Sequence, residues 1–371
     1  MAKRPTGPGL TWPDLLDVLL RGTDLSAAES GWAMHQIMSG DASDAQIAGF
    51  LVALRAKGIT GEELHGIADT MLAHARRIEV PAPSLDIVGT GGDRAHTVNI
   101  STMAAITAAA AGATVVKHGN RAASSSSGTA DVLEALGVRL TLSPEHVVAS
   151  AAAVGMTFCF AQVFHPSMRF VAVPRRDLGI PTVFNVLGPL TNPAQPTYSA
   201  VGVADHTMAP LVAEVFRRRG KSAAVFRGDD GLDELTISTT SRLWWTNDGR
   251  AVEHVLDPAR FGIQRNPVES LRGGSPPENA KVVTEVLSGR GGPVRDAVLL
   301  NAGVALALVE QGESGAGPGA GTTESVSGQL IDELLSRGIE RAAHSIDSGA
   351  ALDRLRDWAA VTVALDGPPG R

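Results

Sequence analysis

The chain has 371 residues with a formal net charge of −7, and 44% of its residues are hydrophobic while 19% are charged. This length fits two domains and is long enough to bury a sizeable core. The negative charge argues against a dedicated nucleic-acid binder. Charged or loop residues interrupt every long apolar stretch, so we predict no membrane-spanning segment.

The N-terminal residues MAKRPTGPGL contain basic residues but no apolar segment typical of secretory signals. We expect residues 1–10 to form a disordered tail. The single cysteine, Cys159, excludes an internal disulfide and fits a reducing compartment. It lies in the apolar run MTFCFA, which indicates a core residue rather than a nucleophile. These features predict a cytoplasmic protein.

Residues 11–80 carry helix signals only. Polar residues precede four predicted helices at capping-box spacing or a close variant: Thr11 with Asp14, Ser26 with Glu29, Ser43 with Gln46, and Thr60 with Glu63. Gly22, Gly40 and Gly58 are predicted to end the first three. We therefore predict a small helical domain. Its third helix, DAQIAGFLVALRAKG, is apolar on more than one face, which indicates contact with a second surface such as another subunit.

From residue 84 to 371, short apolar runs near 85–88, 114–117 and 156–160 alternate with helices. Such alternation is typical of an α/β domain with a mostly parallel sheet covered by helices. The uncharged, alanine-rich helix predicted at 100–111 should be buried against that sheet. Residues 235–266 are instead typical of antiparallel strands, with a turn at 247–249.

The segment DIVGTGGDRAHTVNIST at 86–102 leads from a predicted buried strand through a glycine loop into a helix. Its glycines permit positive φ angles and let backbone N–H groups approach a ligand closely. Asn99, Ser101 and Thr102 would face the same ligand at the helix N-terminus, a common binding place for anions. The glycines alone would fit a plain connection equally well.

A second polar segment, TVVKHGNRAASSSSGTAD at 114–131, follows the next predicted strand. Carboxyl ends of neighbouring parallel strands meet at one edge of a sheet, so the two loops should lie side by side. Lys117 and Arg121 would then complete a site for a polyanion. Neither segment matches G-x-G-x-x-G or G-x-x-x-x-G-K-[ST], which disfavours a dinucleotide dehydrogenase and a P-loop ATPase.

A third segment, RGDDGLDE at 227–234, places four carboxylates after another predicted strand. Mg²⁺ commonly takes one or two protein carboxylates and completes its coordination with water and substrate phosphates. Together with the phosphate loops, this segment predicts a magnesium site. Without those loops, a solvated acidic turn would be the better interpretation.

Five segments stand in a fixed order along the chain: GTGGD at 89–93, NIST at 99–102, KHGNR at 117–121, NVLGPLTNP at 185–193 and GLDE at 231–234. In this order they resemble the anthranilate phosphoribosyltransferase family, from about Trp12 to about Val361. The resemblance implies a helical domain, to which about 165–193 also contribute, and an α/β domain of the nucleoside phosphorylase and phosphoribosyltransferase architecture. It implies transfer of a phosphoribosyl group from phosphoribosyl pyrophosphate to anthranilate in tryptophan biosynthesis, about two Mg²⁺ per subunit, and a homodimer through the helical domain.

The resemblance also implies the site residues. The metal ligands would be Ser101, Asp233 and Glu234, and the anthranilate-binding residues Gly89, Asn120 and Arg175. The phosphoribosyl pyrophosphate-binding residues would be Gly89, Gly92, Asp93, Thr97, Asn99, Ile100, Ser101, Thr102, Lys117, His118, Gly119, Asn120, Arg121, Ala122, Ala123, Ser124, Ser125 and Thr129. Asp229 and Asp230 match no metal position.

Arg175 suits its implied role because a guanidinium group can bind a carboxylate through two parallel hydrogen bonds. Without the resemblance, Arg175 and Arg176 would be interpreted as a surface pair. The family commonly shows Pro-Val before this arginine, whereas the chain has Val173-Pro174. His118 is expected to orient a ligand rather than act as a base, because a neutral arylamine needs no strong base. We expect no covalent intermediate.

Two alternative functions remain open at this stage. Pyrimidine nucleoside phosphorylases share the architecture and a Gly-Thr-x-Asp segment, which residues 128–131 resemble, but they lack the GLDE and NVLGPLTNP segments. A non-catalytic nucleic-acid binder would need a basic face. Trp244 and Trp245 are expected to be packing residues, and the Gly/Ser/Thr-rich insert at 312–328, longer than the family implies, a mobile surface loop without an assigned function.

Overall fold

The computed structural model describes residues 9–81, 83–121, 127–316 and 326–367. Most of the predicted N-terminal tail and residues 317–325 of the predicted insert lie outside these ranges. Four implied binding residues also lie outside them: Ala122, Ala123, Ser124 and Ser125. Within the described ranges, no helix is both long and apolar enough to cross a membrane.

The chain begins with four helices: α1 (Trp12–Leu20), α2 (Ala27–Ser39), α3 (Asp44–Lys57) and α4 (Gly61–Ala73). The predicted caps are confirmed, since Thr11, Ser26, Ser43 and Thr60 each accept a hydrogen bond from the N–H group three residues later. In α2, α3 and α4 the side chain at that position bonds back to the cap, completing a capping box. Each cap stabilises its helix by about 1 kcal/mol.

Seven strands form one sheet: β1 (Leu85–Gly89), β2 (Val115–Gly119), β3 (Met156–Phe160), β4 (Tyr198–Gly202), β5 (Ser222–Gly228), β6 (Ser241–Asn247) and β7 (Arg250–Leu256). Their order is β3-β2-β1-β4-β5-β6-β7, and β1 to β5 are parallel while β6 and β7 are antiparallel. Asp248 and Gly249, with φ of 48° and 72°, form the predicted turn between the last two strands. The mostly parallel α/β fold is confirmed.

Ten helices complete the fold: α5 (Ile100–Ala110), α6 (Thr129–Ala135), α7 (Pro144–Val154), α8 (Ala161–Phe164), α9 (Arg169–Leu178), α10 (Ala209–Arg218), α11 (Pro276–Leu287), α12 (Pro293–Gln311), α13 (Gly328–Asp347) and α14 (Ala350–Asp366). As predicted, α5 is almost wholly buried. The predicted insert begins differently, because Gly312–Ala316 continue α12 as a π-helical turn.

The two faces of the sheet belong to different cores. On β5, Ala224 and Phe226 pack into a core with α5, α12 and α13, whereas Ala223 and Val225 pack into a core with α1 to α4 and α10. Side chains of the 171–190 segment, among them Val171 and Leu187, also join the second core. That segment therefore runs from the helical bundle to the carboxyl ends of the parallel strands.

Candidate active site

A cavity of about 430 Å³ opens where the carboxyl ends of β1 and β2 face the 161–191 segment. The three polar segments identified in the sequence all reach it. The implied site residues that line it are Gly89, Gly92, Asp93, Thr97, Asn99, Ile100, Ser101, Lys117, His118, Gly119, Asn120, Arg121, Thr129, Arg175, Asp233 and Glu234. Thr102 does not line it, because its side chain is fully buried within α5.

The glycine loop after β1 is joined directly to the acidic segment after β5. The Gly91 N–H group donates a hydrogen bond of 2.6 Å to Oδ2 of Asp233. A Cβ atom on Gly89 would lie only 2.3 Å from the same oxygen, so a side chain at the end of β1 would displace the Asp233 carboxylate. Gly91 and Gly92 have φ of 66° and 87°, which glycine adopts without strain. The loop path therefore depends on its glycines.

Two residues absent from the sequence motifs fix the acidic segment in place. A Cβ atom on Gly202, at the end of β4, would lie 1.6 Å from the carbonyl oxygen of Asp233. Asn301 of α12 binds Leu235, which follows Glu234, since it accepts a bond of 3.0 Å from the Leu235 N–H and donates one of 2.9 Å to the Leu235 carbonyl. No sequence signal distinguishes Gly202 or Asn301 from other strand and helix residues.

Negative charge is concentrated and buried at this edge. Burial is the main cause of a raised pKa at both Asp233 and Glu234, and the neighbouring Asp93 carboxylate raises both further. Lys117 opposes the rise at Glu234. In their ionised forms these carboxylates repel one another, and a bound cation would relieve that repulsion.

The donor atoms present fit Mg²⁺. Carboxylate and hydroxyl oxygens are hard ligands, and Ser101, Asp233 and Glu234 line the same cavity. Among the described residues, no group of three or more His, Cys, Asp or Glu side chains could hold a metal by itself.

A buried lysine and a buried aspartate lie beneath the cavity floor. The Lys117 ammonium donates to the Ile87 carbonyl and, at 3.3 Å, to the Ser101 hydroxyl, while burial lowers its pKa. Asp86 accepts from the His118 N–H at 3.2 Å and from Nδ2 of Asn192 at 2.8 Å, and burial raises its pKa to about 6. Sequence reasoning missed Asp86, although a carboxylate inside an apolar strand was an available signal.

Two histidines form the opposite wall, with the His118 and His165 ring centroids 5.1 Å apart. Nδ1 of His118 lies 2.9 Å from the Gly188 carbonyl oxygen. Because a carbonyl only accepts, Nδ1 carries the hydrogen and Nε2 keeps a free lone pair. Burial lowers the pKa of His118 to about 3 and that of His165 to about 4, so both rings are neutral near pH 7.

Adjacent arginines of α9 point in different directions. Arg175 lines the cavity with its guanidinium carbon 5.4 Å from the centre of the Phe184 ring, and burial lowers its pKa. Arg176 is exposed and pairs with Asp177 at 3.0 Å. Pro174 is buried inside the continuous helix α9, so the Val-Pro order does not interrupt the backbone before Arg175.

The site combines loops that present backbone N–H groups, a buried lysine and a carboxylate pair suited to Mg²⁺. This combination is typical of an enzyme that binds a phosphorylated substrate. Residues 82–352 match the glycosyl transferase family a/b domain, and residues 13–75 match the helical bundle domain of the same family. This is the class of protein that the helical domain, the sheet and the cavity indicate together.

Individual relatives narrow the class. Proteins named anthranilate phosphoribosyltransferase from Thermobifida fusca and a Nocardioides species are 58% and 57% identical, covering 94% and 95% of this chain and 96% and 99% of their own lengths. The solved Thermus thermophilus structure of that name has a TM-score of 0.83 at 38% identity and covers 94% of this chain and 99% of its own. A Saccharomyces cerevisiae structure in complex with PRPP and Mg has a TM-score of 0.75 at 29% identity, covering 96% and 94%. The chain belongs to the anthranilate phosphoribosyltransferase family.

Gly202→Ala should displace the acidic segment, because the new Cβ would collide with a backbone oxygen that no rotamer change can move. We expect kcat/KM to fall by about 100-fold, the effect of misplacing reacting groups by about 1 Å. Steady-state kinetics on Gly291→Ala gives the control, since a Cβ there meets nothing within 4 Å. Unchanged kinetics in Gly202→Ala would show that the segment tolerates the shift.

His118→Ala should reduce kcat only a few-fold, whereas loss of a general base costs about 10² to 10⁴. In the wild-type protein, NMR signals of the His118 ring should not titrate near the usual pKa, because its pKa is lowered to about 3 and the ring stays neutral as the pH falls through about 6.5. Stopped turnover in His118→Ala, or a titration midpoint near 6.5, would contradict the orienting role.

Proposed function

We propose that this cavity is where the enzyme transfers the 5-phosphoribosyl group of phosphoribosyl pyrophosphate to the amino group of anthranilate. The products are N-(5′-phosphoribosyl)anthranilate and pyrophosphate, in L-tryptophan biosynthesis. One observation carries the proposal: the glycine loop, Lys117 and the acidic pair meet in one cavity whose other wall presents Arg175. Solved structures of the Saccharomyces cerevisiae anthranilate phosphoribosyltransferase include complexes with PRPP and Mg and with 4-fluoroanthranilate, which supports both substrates.

The phosphoribosyl donor would lie at the strand ends. Backbone N–H groups of residues 89–93 and of the α5 N-terminus would bind its phosphates, together with Lys117. The Arg121 guanidinium group, which pairs with the carboxylates of Asp131 at 3.0 Å and Glu134 at 2.7 Å, would also bind a phosphate. Ser101, Asp233 and Glu234 would hold Mg²⁺, about two ions per subunit. When bound, Mg²⁺ supplies positive charge that stabilises the departing pyrophosphate.

Anthranilate would lie at the Arg175 end, with its carboxylate bound by the guanidinium group and its ring near Asn120 and Gly89. The arylamine is neutral near pH 7 and is already a nucleophile. The neutral rings of His118 and His165 would orient it without removing a proton in advance. Catalysis is then positioning and electrostatic stabilisation without a covalent intermediate. Ping-pong kinetics would contradict this mechanism.

Replacing both acids, Asp233→Asn with Glu234→Gln, should abolish Mg²⁺-dependent turnover, by about 10³-fold or more. Because the pKa of each carboxyl is raised, removing the charges should keep or increase the melting temperature of the metal-free protein. Anthranilate fluorescence, followed with donor and Mg²⁺, measures the reaction.

Asp229→Asn is the matched control for that double variant. Asp229 lies in the same acidic segment but is exposed and accepts a bond of 2.5 Å from Thr240. The Asp229→Asn variant should keep the Mg²⁺-dependent turnover of the wild-type protein. Turnover that survives in the double variant would refute the metal assignment.

The nucleoside phosphorylase alternative is not favoured by the relatives. The Gly-Thr-x-Asp segment at 128–131, which resembles those enzymes, has a structural role here. Asp131 accepts a bond of 2.9 Å from the Gly128 N–H at the start of α6 and pairs with Arg121. For a nucleic-acid binder, the formal net charge of −7 stays unfavourable.

We propose further that two copies associate through the helical domain, defined as residues 11–80 with a contribution from about 165–193. The α/β domain would comprise residues 84–371, and the protein would be cytoplasmic, as the buried free thiol of Cys159 supports. Four of the large apolar side chains that are exposed lie on this helical part: Leu20 at 77%, Val52 at 41%, Val173 at 41% and Ile180 at 43%. Burial of such a surface favours association.

Val52→Lys should therefore shift a dimer toward monomer, because it places a charge on the apolar surface of α3. Sedimentation velocity at micromolar concentration measures the change. Val255→Lys is the control, since Val255 is 51% exposed on β7, away from the helical bundle. A wild-type protein that sediments as a monomer would contradict the proposed dimer.

A further inference from the structure

A second cavity, of about 400 Å³, borders the same 189–192 segment that walls the active site. We call it the rear cavity. Its lining residues are His65, Asp69, Leu72, Arg77, Pro189, Leu190, Asn192, Gln195, Pro196, Ser199, Phe216, Arg219 and Lys221. Pro189 also lines the active-site cavity, but none of the implied catalytic residues lies in the rear cavity. A volume of this size is within the range of small-molecule sites, about 300 to 1,000 Å³.

The rear cavity is positively charged although the whole protein carries −7. Arg77, Arg219 and Lys221 contribute cations, and Asp69 is the one carboxylate among its described lining residues. Asp69 is already engaged, at 2.6 Å from Arg219 and at 3.4 Å from His65. Two cations are therefore left over.

The Arg219 guanidinium group already has two partners. Besides its contact with Asp69, its Nη1 donates a bond of 2.8 Å to the Leu190 carbonyl. Arg77 and Lys221 have no carboxylate partner among the described residues, and the Lys221 ammonium reaches only the Gln195 carbonyl, at 3.5 Å. Burial and the neighbouring Arg219 lower the pKa of Lys221, as expected for a cation without a counter-charge. An anion would supply that charge.

Part of the remaining wall is apolar and is formed by Leu72, Leu190, Pro196 and Phe216. Inorganic anions gain nothing from such a surface, whereas an organic anion would bury its hydrocarbon part there. The cavity thus combines a polar end for a negative group with an apolar wall for a short hydrocarbon or a ring.

We propose that the rear cavity binds a small organic carboxylate, with its carboxylate group between Lys221 and Arg77 and its apolar part against Leu72 and Phe216. This site is separate from the one implied for anthranilate. It uses none of the residues assigned to the reaction.

Phenylacetate is a suitable probe, because it has one carboxylate and one compact apolar group. Isothermal titration should use the Arg175→Gln variant, which removes the arginine expected to bind carboxylates in the active site. We expect saturable binding there. Adding Lys221→Gln should weaken it by about tenfold or more, the value of one charge-assisted hydrogen bond. The neutral isostere phenylacetamide should bind similarly weakly.

Arg218→Gln, added instead of Lys221→Gln, is the matched control. Arg218 is next to Arg219 but pairs with Glu214 at 2.8 Å and does not line the rear cavity. It should leave phenylacetate binding unchanged. Lys221→Gln alone should keep turnover within about twofold, which checks folding independently of binding.

Three results would each overturn the proposal. These are no saturable binding of phenylacetate to Arg175→Gln, equal affinity with and without Lys221→Gln, and equal affinity for the acid and the amide. A crystal of Arg175→Gln soaked with phenylacetate gives the position directly. Electron density for the ligand anywhere other than between residues 77 and 221 would also overturn it.

Discussion

Repulsion between buried carboxylates is the constraint on which the active site depends. Asp233 and Glu234 are buried at one edge of the sheet beside the half-buried Asp93, and the buried Lys117 opposes the raised pKa of Glu234. Without support from the surrounding structure, these carboxylates would move toward solvent. It is held instead by backbone packing, because Gly89 and Gly202 let the acidic segment approach β1 and β4 and Asn301 binds both polar backbone atoms of Leu235. The fold thereby keeps a charge arrangement that a bound cation would stabilise.

A second polar layer joins the two sides of the cavity. Asp86 receives the His118 N–H from β2 and the Asn192 amide from the segment after the 188–190 turn. Asn192 also donates a bond of 2.8 Å to the Val116 carbonyl. His118 in turn binds the Gly188 carbonyl. The strand ends that would bind the phosphoribosyl donor and the turn beside anthranilate are therefore connected through one buried carboxylate and one amide.

What the sequence predicted well was local. Helix caps such as Ser26 with Glu29 depend on residues three apart, and the glycine loop and acidic segment follow strands whose apolar runs are continuous. Contacts between distant segments were not predictable, because nothing near Gly202 in the sequence reveals that residue 233 crosses it. Helix geometry explains Thr102: neighbours on a helix point about 100° apart, so Ser101 faces the cavity and Thr102 the core. The same helix geometry explains why Arg175 faces the cavity while the next residue, Arg176, is exposed.

The charges of the cavity also account for how two anionic substrates would be kept apart. In the proposed arrangement the acidic edge would repel a free carboxylate and would bind a diphosphate together with Mg²⁺, whereas Arg175 would attract a carboxylate directly. Between these ends lie the rings of His118 and His165, which burial keeps neutral. Neutral rings neither repel the positive charge that develops on the ribose as pyrophosphate departs nor compete with Arg175 for anthranilate. A protonated histidine at either position would do both, so the lowered pKa values are a requirement of the proposed arrangement.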